Sequence, residues 1–567
     1  MMRRTYIIYS NIIFFLLLWI SCSVTQKVPQ TDEQAKALFK KDISMLASDK
    51  FMGRGAGTKG EELASDYIVS FFKKLKLTPK GTDGFLQAFK FTASVQTGTS
   101  TQLYINSKSY RLNADFYPLS FSGNGITSSY ITKVGYGITA PELKHDDYQG
   151  KFTLNKKIFV IETGTPDGNN PHGNFAKYDD LKRKAEIAIS KGASAIIFIN
   201  SDTAREDPSD QISAKTSPLK IPVIFARGDA AKFLKNEIVT NCTVGVEIIR
   251  EQKTGHNVIA MLDNNASTTI VIGAHYDHLG MGEESSNSLY RGKPAVHNGA
   301  DDNASGTAML MQLALHLKQP KYNKSNYLFI AFSGEELGLL GSNHFVKFPT
   351  IDLKTVSCML NMDMVGRLKT DEKIVIINGA GTSPRWKTVL DSVAADGVKI
   401  KTSESGIGPS DHTSFYLQDI PTLHFFSGTH EDYHKPSDDE DKINYDGMVL
   451  IQRTMLNLIE RIQGSGKLGF TKTKDSQNEE APRMKVTLGI IPDYAYDGEG
   501  VRADGISEGR PGANAGMKKG DVVIQLGDYK TPDMQEYMKA LSKLSKGQST
   551  TMKVRRGAEV LELQVAF

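Results

Sequence analysis

A chain of 567 residues that is 40% hydrophobic and 23% charged has material for several packed domains, which excludes a disordered, collagenous or multi-span membrane protein. Its 68 Lys plus Arg against 64 Asp plus Glu leave a net charge of +4 with no basic stripe, which argues against a nucleic-acid partner. Three cysteines, Cys22, Cys242 and Cys358, form neither a disulfide scaffold nor a CxxC motif, so any bound metal falls to histidines and carboxylates.

At the N-terminus, Arg3 and Arg4 precede an apolar run over residues 12–20 that is too short to span a bilayer and reads as the core of a secretory signal. Ser21-Cys22 follows and resembles a bacterial lipobox, with Trp19 where Leu is usual. Residues 1–22 are thus predicted to be a signal peptide with a lipidated Cys22, or else to be cleaved near Ser23. Both readings predict an exported chain. The first places it as a membrane-anchored lipoprotein of the periplasm or outer membrane, touching the membrane only through its lipid.

Residues 32–77 have helical periodicity. The run Gly55-Ala56-Gly57-Thr58-Lys59-Gly60 is formally GxGxxG, but no buried strand precedes it, so it is read as a loop. From 104 to 251 short β-like runs surround one clear helix, 179–190, and a strand, 195–199. That block, with Gly135-Tyr136-Gly137-Ile138 and Ile221-Pro222-Val223-Ile224, resembles the protease-associated domain inserted in secreted peptidases, with an expected role in shaping access to a neighbouring site.

Between 268 and 462, Val/Ile/Phe-rich runs alternate with helical patterns, predicting an α/β domain with a mixed, mainly parallel sheet flanked by helices. The predicted strands are 269–274, 327–332, 357–362, 373–377 and 422–426, and a helix over 446–462 closes the domain. Residues 464–483 have linker composition. Residues 484–567 resemble a PDZ domain of the bacterial type, through Leu488-Gly489-Ile490, residues 511–516, Gly520-Asp521-Val522-Val523-Ile524 and Arg555-Arg556-Gly557; such domains accept peptide C-termini by strand addition.

Functional residues of a wound sheet collect at the carboxyl ends of its strands. His275-Tyr276-Asp277-His278 follows one predicted strand, Glu335-Glu336 another and Asp363 a third, while Asp302 and His434 stand in loops. Each has a plain structural explanation by itself, as a surface histidine or a helix cap. Together, the blocks 275–278, 299–306, 333–338, 361–366, Ser410-Asp411-His412 and 432–436 resemble the di-zinc aminopeptidase family, over 32–103 and 252–463 with the other block inserted.

That resemblance implies two Zn²⁺ per chain, His275 and Asp363 on one, Glu336 and His434 on the other and Asp302 bridging. Imidazole and carboxylate donors suit zinc, and three per ion leave room for water. It implies hydrolysis of peptides from their N-terminal end by a hydroxide shared between the ions, with Glu335 as general base. Asp277 is expected to accept the second ring N–H of His275, Tyr433 to stabilise the oxyanion, and Ser410, Asp411 and His412 to shape the substrate pocket.

Two other motifs compete. His430-Glu431-Asp432-Tyr433-His434 spells HExxH, but Gly428 and Pro436 leave too little room for the helix that motif needs. Gly505-Ile506-Ser507-Glu508-Gly509 spells GxSxG, yet no histidine follows it to complete a triad. The alternatives carried forward are a related zinc carboxypeptidase or dipeptidase, a glutaminyl cyclase and a non-catalytic peptide-binding receptor.

Overall fold

A computed structural model describes residues 27–567 except 151–153, 169, 171–172, 214–215, 237, 240, 283–286, 474–485, 493–495, 497, 507–508 and 533. Cys22 and the leader lie outside the described residues, as do Ser507 and the second half of the linker. The chain divides into two compact units, residues 88–255 and the rest. The unit boundary thus falls outside the 104–251 block expected from sequence. The reason is a pair of long strands, Leu86–Thr97 and Ile248–Leu262, which pair with each other and each cross the boundary.

The larger unit is built on a nine-stranded sheet in the order Thr78–Pro79, Ile248–Leu262, Asn326–Phe332, Thr269–His275, Val356–Met362, Thr422–Phe426, Ile374–Asn378 and Lys399–Ser403, with Leu86–Thr97 paired to Ile248–Leu262. The four strands from Asn326–Phe332 to Thr422–Phe426 run parallel, and antiparallel pairings flank them. Every residue of those four is buried, as expected for parallel strands covered on both faces.

Helices Asp32–Leu46, Gly306–His316 and Tyr445–Ile462 pack over one face around Phe39, Phe72, Phe329 and Trp386. Phe345 and Phe415, from the short helices Leu340–Lys347 and His412–Tyr416, stack over the other. Thr58, inside the GxGxxG run, accepts a hydrogen bond from the Gly60 N–H and caps helix Lys59–Lys74, which makes the run a helix entry.

Toward the C-terminus, strands Ile490–Pro492, Val501–Ile506, Val522–Leu526, Ser549–Arg556 and Glu559–Ala566 lie side by side, with Tyr529–Lys530 on Val522–Leu526 and helix Met534–Lys543 against their core. In the smaller unit, strands Val223–Ala226, Ala193–Ile199, Lys157–Glu162 and Ile131–Lys133 are mutually parallel, and a second sheet of four strands is antiparallel. Its Lys184 is buried, with the ammonium donating to the carbonyls of Glu162, Thr163 and Gly164. Cys242 and Cys358 are both free and buried.

Phe329, fully buried on its strand, meets the ring of Phe72 at 6.2 Å between centroids and ties helix Lys59–Lys74 to the sheet. Phe329→Ala is expected to cost about 3–5 kcal/mol of stability in denaturant melts. A loss below about 1 kcal/mol would show that this contact does not anchor the helix.

Candidate functional site

Strand Thr269–His275 ends on His275, which is 1% exposed. Its Nδ1–H donates to the backbone oxygen of Asp277 at 3.2 Å, which fixes the tautomer and turns Nε2 inward. Around that Nε2 stand Asp363 Oδ1 at 3.2 Å, Asp302 Oδ1 at 3.5 Å and Glu335 Oε2 at 4.0 Å. His434 is arranged alike: Nδ1–H donates to the Asn287 carbonyl at 3.0 Å, and Nε2 faces Asp302 Oδ2 at 3.1 Å and Glu336 Oε2 at 3.3 Å. The two oxygens of Asp302 are therefore divided between the two histidines.

These separations suit a metal ion. Donor atoms about 2.0–2.2 Å from a tetrahedral zinc stand about 3.3 Å apart. Two buried groupings could hold an ion, His275 with Asp302 and Asp363, and His278 with Asp302 and Glu336, and His434 Nε2 adjoins the second. His278 belongs to the 275–278 block but receives no role from sequence. Its Nδ1–H donates to Glu336 Oε1 at 2.7 Å, while its Nε2 is buried without a hydrogen-bond partner among the described residues.

The loop bearing Asp302 is held by groups to which the sequence reading gives no individual role. Gly299 starts it at φ +55°, and the N–H groups of Asp301 and Asp302 both donate to Asp438 Oδ2, at 2.9 and 3.0 Å. Asn303 ties it to the strand bearing Asp363, its Nδ2 donating to the Met362 carbonyl at 3.0 Å and its Oδ1 accepting from the Met364 N–H at 3.2 Å. Asp301, adjacent to the expected bridge, instead accepts from the Gly366 N–H at 2.6 Å and pairs through Oδ2 with His430 Nε2 at 3.2 Å. His430 is thus engaged with Asp301, and residues 431–434 form turns without a helix.

Glu335 follows strand Asn326–Phe332 through Gly334, which lies at φ +69°. Its N–H donates to Asp277 Oδ1 at 3.2 Å. The Asp277 carboxylate thus holds Glu335, while its backbone oxygen is the nearer acceptor for His275; the carboxylate lies 3.8 Å from that ring, so the contact expected from sequence is made by the main chain. Burial pushes the Glu335 carboxyl well above the usual range, His275 opposes the rise, and Asp363, Glu336 and Asp411 add to it. For Glu336 burial acts upward too, but His434 and His278 hold it well below its ordinary value.

Tyr433 stacks on the His434 ring at 3.8 Å. Burial, then the carboxylates Asp302, Glu336, Glu335 and Asp363, push its phenol well above the ordinary value, so it stays a proton donor. Ser410, Asp411 and His412 are fully buried. Ser410 Oγ accepts from Asn361 Nδ2 at 2.8 Å, burial pushes Asp411 up to about 6, and His412 stacks on His424 at 4.7 Å between centroids. Beside them Met364, Ile376 and Phe426 form a small apolar cluster against Tyr433, a surface no sequence spacing disclosed.

Comparison with known proteins finds peptidase and PDZ relatives. Residues 257–459 match peptidase family M28 and residues 467–567 match the PDZ domain. Aminopeptidase YwaD of Bacillus subtilis (strain 168) is 27% identical over 71% of this chain and 79% of its own. An aminopeptidase of Pseudomonas aeruginosa (strain UCBPP-PA14) is 26% identical over 57% of this chain, which spans 55% of that protein. "Probable lipoprotein aminopeptidase LpqL" of Mycobacterium tuberculosis (strain ATCC 25618 / H37Rv) is 23% identical over 66% of this chain and 70% of its own. With histidines and carboxylates gathered at the strand ends, residues 257–459 form a peptidase family M28 domain, and a PDZ domain follows it over residues 467–567.

Proposed function

We propose that the protein is an exported zinc aminopeptidase that removes residues from the free N-terminal end of peptides. The observation that carries this is the division of Asp302, one carboxylate oxygen toward His275 and the other toward His434, at separations suited to two tetrahedral ions. His275 and Asp363 would hold one Zn²⁺, Glu336 and His434 the other, and Asp302 both. Bound there, two zinc ions would supply Lewis acidity and make a water acidic enough to be nucleophilic near neutral pH.

In this reading Glu335 takes the proton from the attacking water and returns it to the departing amine, and its raised pKa makes it the stronger base. Asp277 keeps that carboxylate in place through the Glu335 N–H. Tyr433 donates its phenol proton to the developing oxyanion. The apolar face of Met364, Ile376 and Phe426, backed by Ser410, Asp411 and His412, receives the substrate side chain.

The domain assignments are part of the proposal: residues 104–251, within the compact unit 88–255, as a protease-associated domain, and the PDZ edge strand Ile490–Pro492 as acceptor for a peptide C-terminus. Export and a lipid on Cys22 are supported by the leader's composition and by a relative named as a lipoprotein. No described helix is long and apolar enough to cross a membrane.

Glu335→Gln is expected to keep two zinc ions, measured by elemental analysis, while turnover falls about 10²–10⁴-fold; retention of a tenth of the activity would remove Glu335 from the base role. One zinc per chain would favour the glutaminyl cyclase reading. Peptides with a blocked N-terminus should resist cleavage and a chelator should abolish it; equal cleavage of blocked and free peptides would defeat the aminopeptidase assignment.

The histidines set a pH dependence. Burial lowers the affinity of His275 and His434 for protons, but Asp363 and Glu335 around the first, and Glu336 and Asp302 around the second, more than reverse this and raise both pKa values well above 6.5. A raised pKa gives the zinc-free fold stability that is present below pH about 6.5 and lost as pH rises through the folded-state values. Zinc-free protein should therefore melt at lower temperature at pH 9 than at pH 6, and zinc loading, which displaces those protons, should flatten the decline. Identical melting profiles with and without zinc would argue against these histidines as ligands.

A further inference from the structure

Arg54 is 1% exposed, yet none of its hydrogen bonds goes to a carboxylate. Its guanidinium donates to four backbone carbonyls. Nε reaches Tyr276 at 2.8 Å, Nη1 reaches Leu46 at 2.7 Å and Asn298 at 2.5 Å, and Nη2 reaches Gly299 at 2.9 Å. Tyr276 follows His275, and Gly299 opens the loop that presents Asp302. One planar fork therefore joins the segments that carry His275 and Asp302 to the Leu46 carbonyl at the end of helix Asp32–Leu46.

The backbone around Arg54 repeats the connection. Its carbonyl accepts from the His278 N–H at 3.2 Å, the Gly53 carbonyl accepts from the Gly280 N–H at 2.9 Å, and Gly55 bridges His278. Met52, Gly53 and Arg54 are all left-handed, at φ +47°, +65° and +50°. A Cβ on Gly53 would stand 2.3 Å from the Gly280 oxygen, so the loop lies as close to the 278–280 segment as glycine permits. Two non-glycine residues held at positive φ are strain that the surrounding contacts must maintain. Arg54 also remains cationic: burial lowers it to about 10, while Asp302, Asp277, Asp438 and Glu336 act upward.

We propose that Arg54 is a positioning residue for the metal centre: its fork sets the spacing between the His275 and Asp302 segments and places a fixed positive charge behind the carboxylates without occupying a ligand position. The inference rests on the zinc reading above. Lysine keeps the charge but gathers its three donors on one nitrogen, so it cannot span all four carbonyls that the planar fork bonds from three separate nitrogens.

The test is a competition titration of zinc against a chromogenic chelator, on full-length wild type, Arg54→Lys and Arg54→Gln, each first shown to be folded by circular dichroism without metal. Wild type should take two ions, and both variants should bind zinc about 10–100-fold more weakly, with excess zinc restoring turnover in Arg54→Lys. If Arg54→Gln does not fold, Arg54→Lys decides the matter alone. Wild type that binds no zinc would sink the zinc reading itself. Wild type that binds two ions, beside a folded Arg54→Lys whose affinity lies within threefold, would overturn the role of Arg54 and leave that reading standing.

Discussion

Buried negative charge is the constraint on which this molecule turns. Asp277, Asp302, Glu336, Asp411 and Asp438 are all buried near the carboxyl ends of parallel strands, with Glu335 and Asp363 scarcely more exposed. Carboxylates removed from water without partners are costly enough that they take up protons or must be neutralised. The upward displacement of Asp277 and Glu335 expresses that cost, dominated in each by burial. In the zinc reading proposed above, two divalent cations beside the inward-facing Nε2 atoms of His275 and His434 would relieve it.

The supporting structure is organised around the same point. Parallel strands buried on both faces bring their carboxyl ends to one rim, so residues 275, 335 and 363 become neighbours despite their distance in sequence. Loops then supply what strands cannot. Asp438 gathers two N–H groups beneath Asp302, Asn303 links that loop to the Asp363 strand, and the His434 carbonyl accepts from the Leu289 N–H across the cluster. Most of these bonds are to main chain, which fixes backbone position without adding further charge.

How much of this can be read in the sequence follows from the same physics. Strand positions were legible because burial on both faces forces unbroken apolar runs; residues 422–426 are one, and they form a strand with those bounds. His275, Glu335, Glu336 and Asp363 draw attention in the sequence because they stand just after such runs, whereas Asp302 and His434 lie in loops. Arg54 was not, because an arginine bonded to carbonyls has no complementary residue whose spacing could betray it. The Asp301–His430 pair escaped for a related reason, since either residue could equally be read as ligand or cap until the fold separates them. The compact unit 88–255 is wider than the 104–251 block read from sequence because Leu86–Thr97 and Ile248–Leu262 are single uninterrupted strands whose pattern carries no mark where one unit ends.

Those two strands have a consequence of their own. Across them Ser94 Oγ donates to Glu251 Oε2 at 2.9 Å and Gln252 Nε2 to Thr92 Oγ1 at 2.8 Å, so the chain leaves for the smaller unit and returns from it at nearly the same place. A segment whose two ends already meet can be lengthened, exchanged or replaced by a short hairpin at little entropic cost to the host, because closing a longer loop adds only about 0.6 kcal/mol per doubling of its length. The paired ribbon is therefore the place where a change in the length of the intervening chain costs the host sheet least.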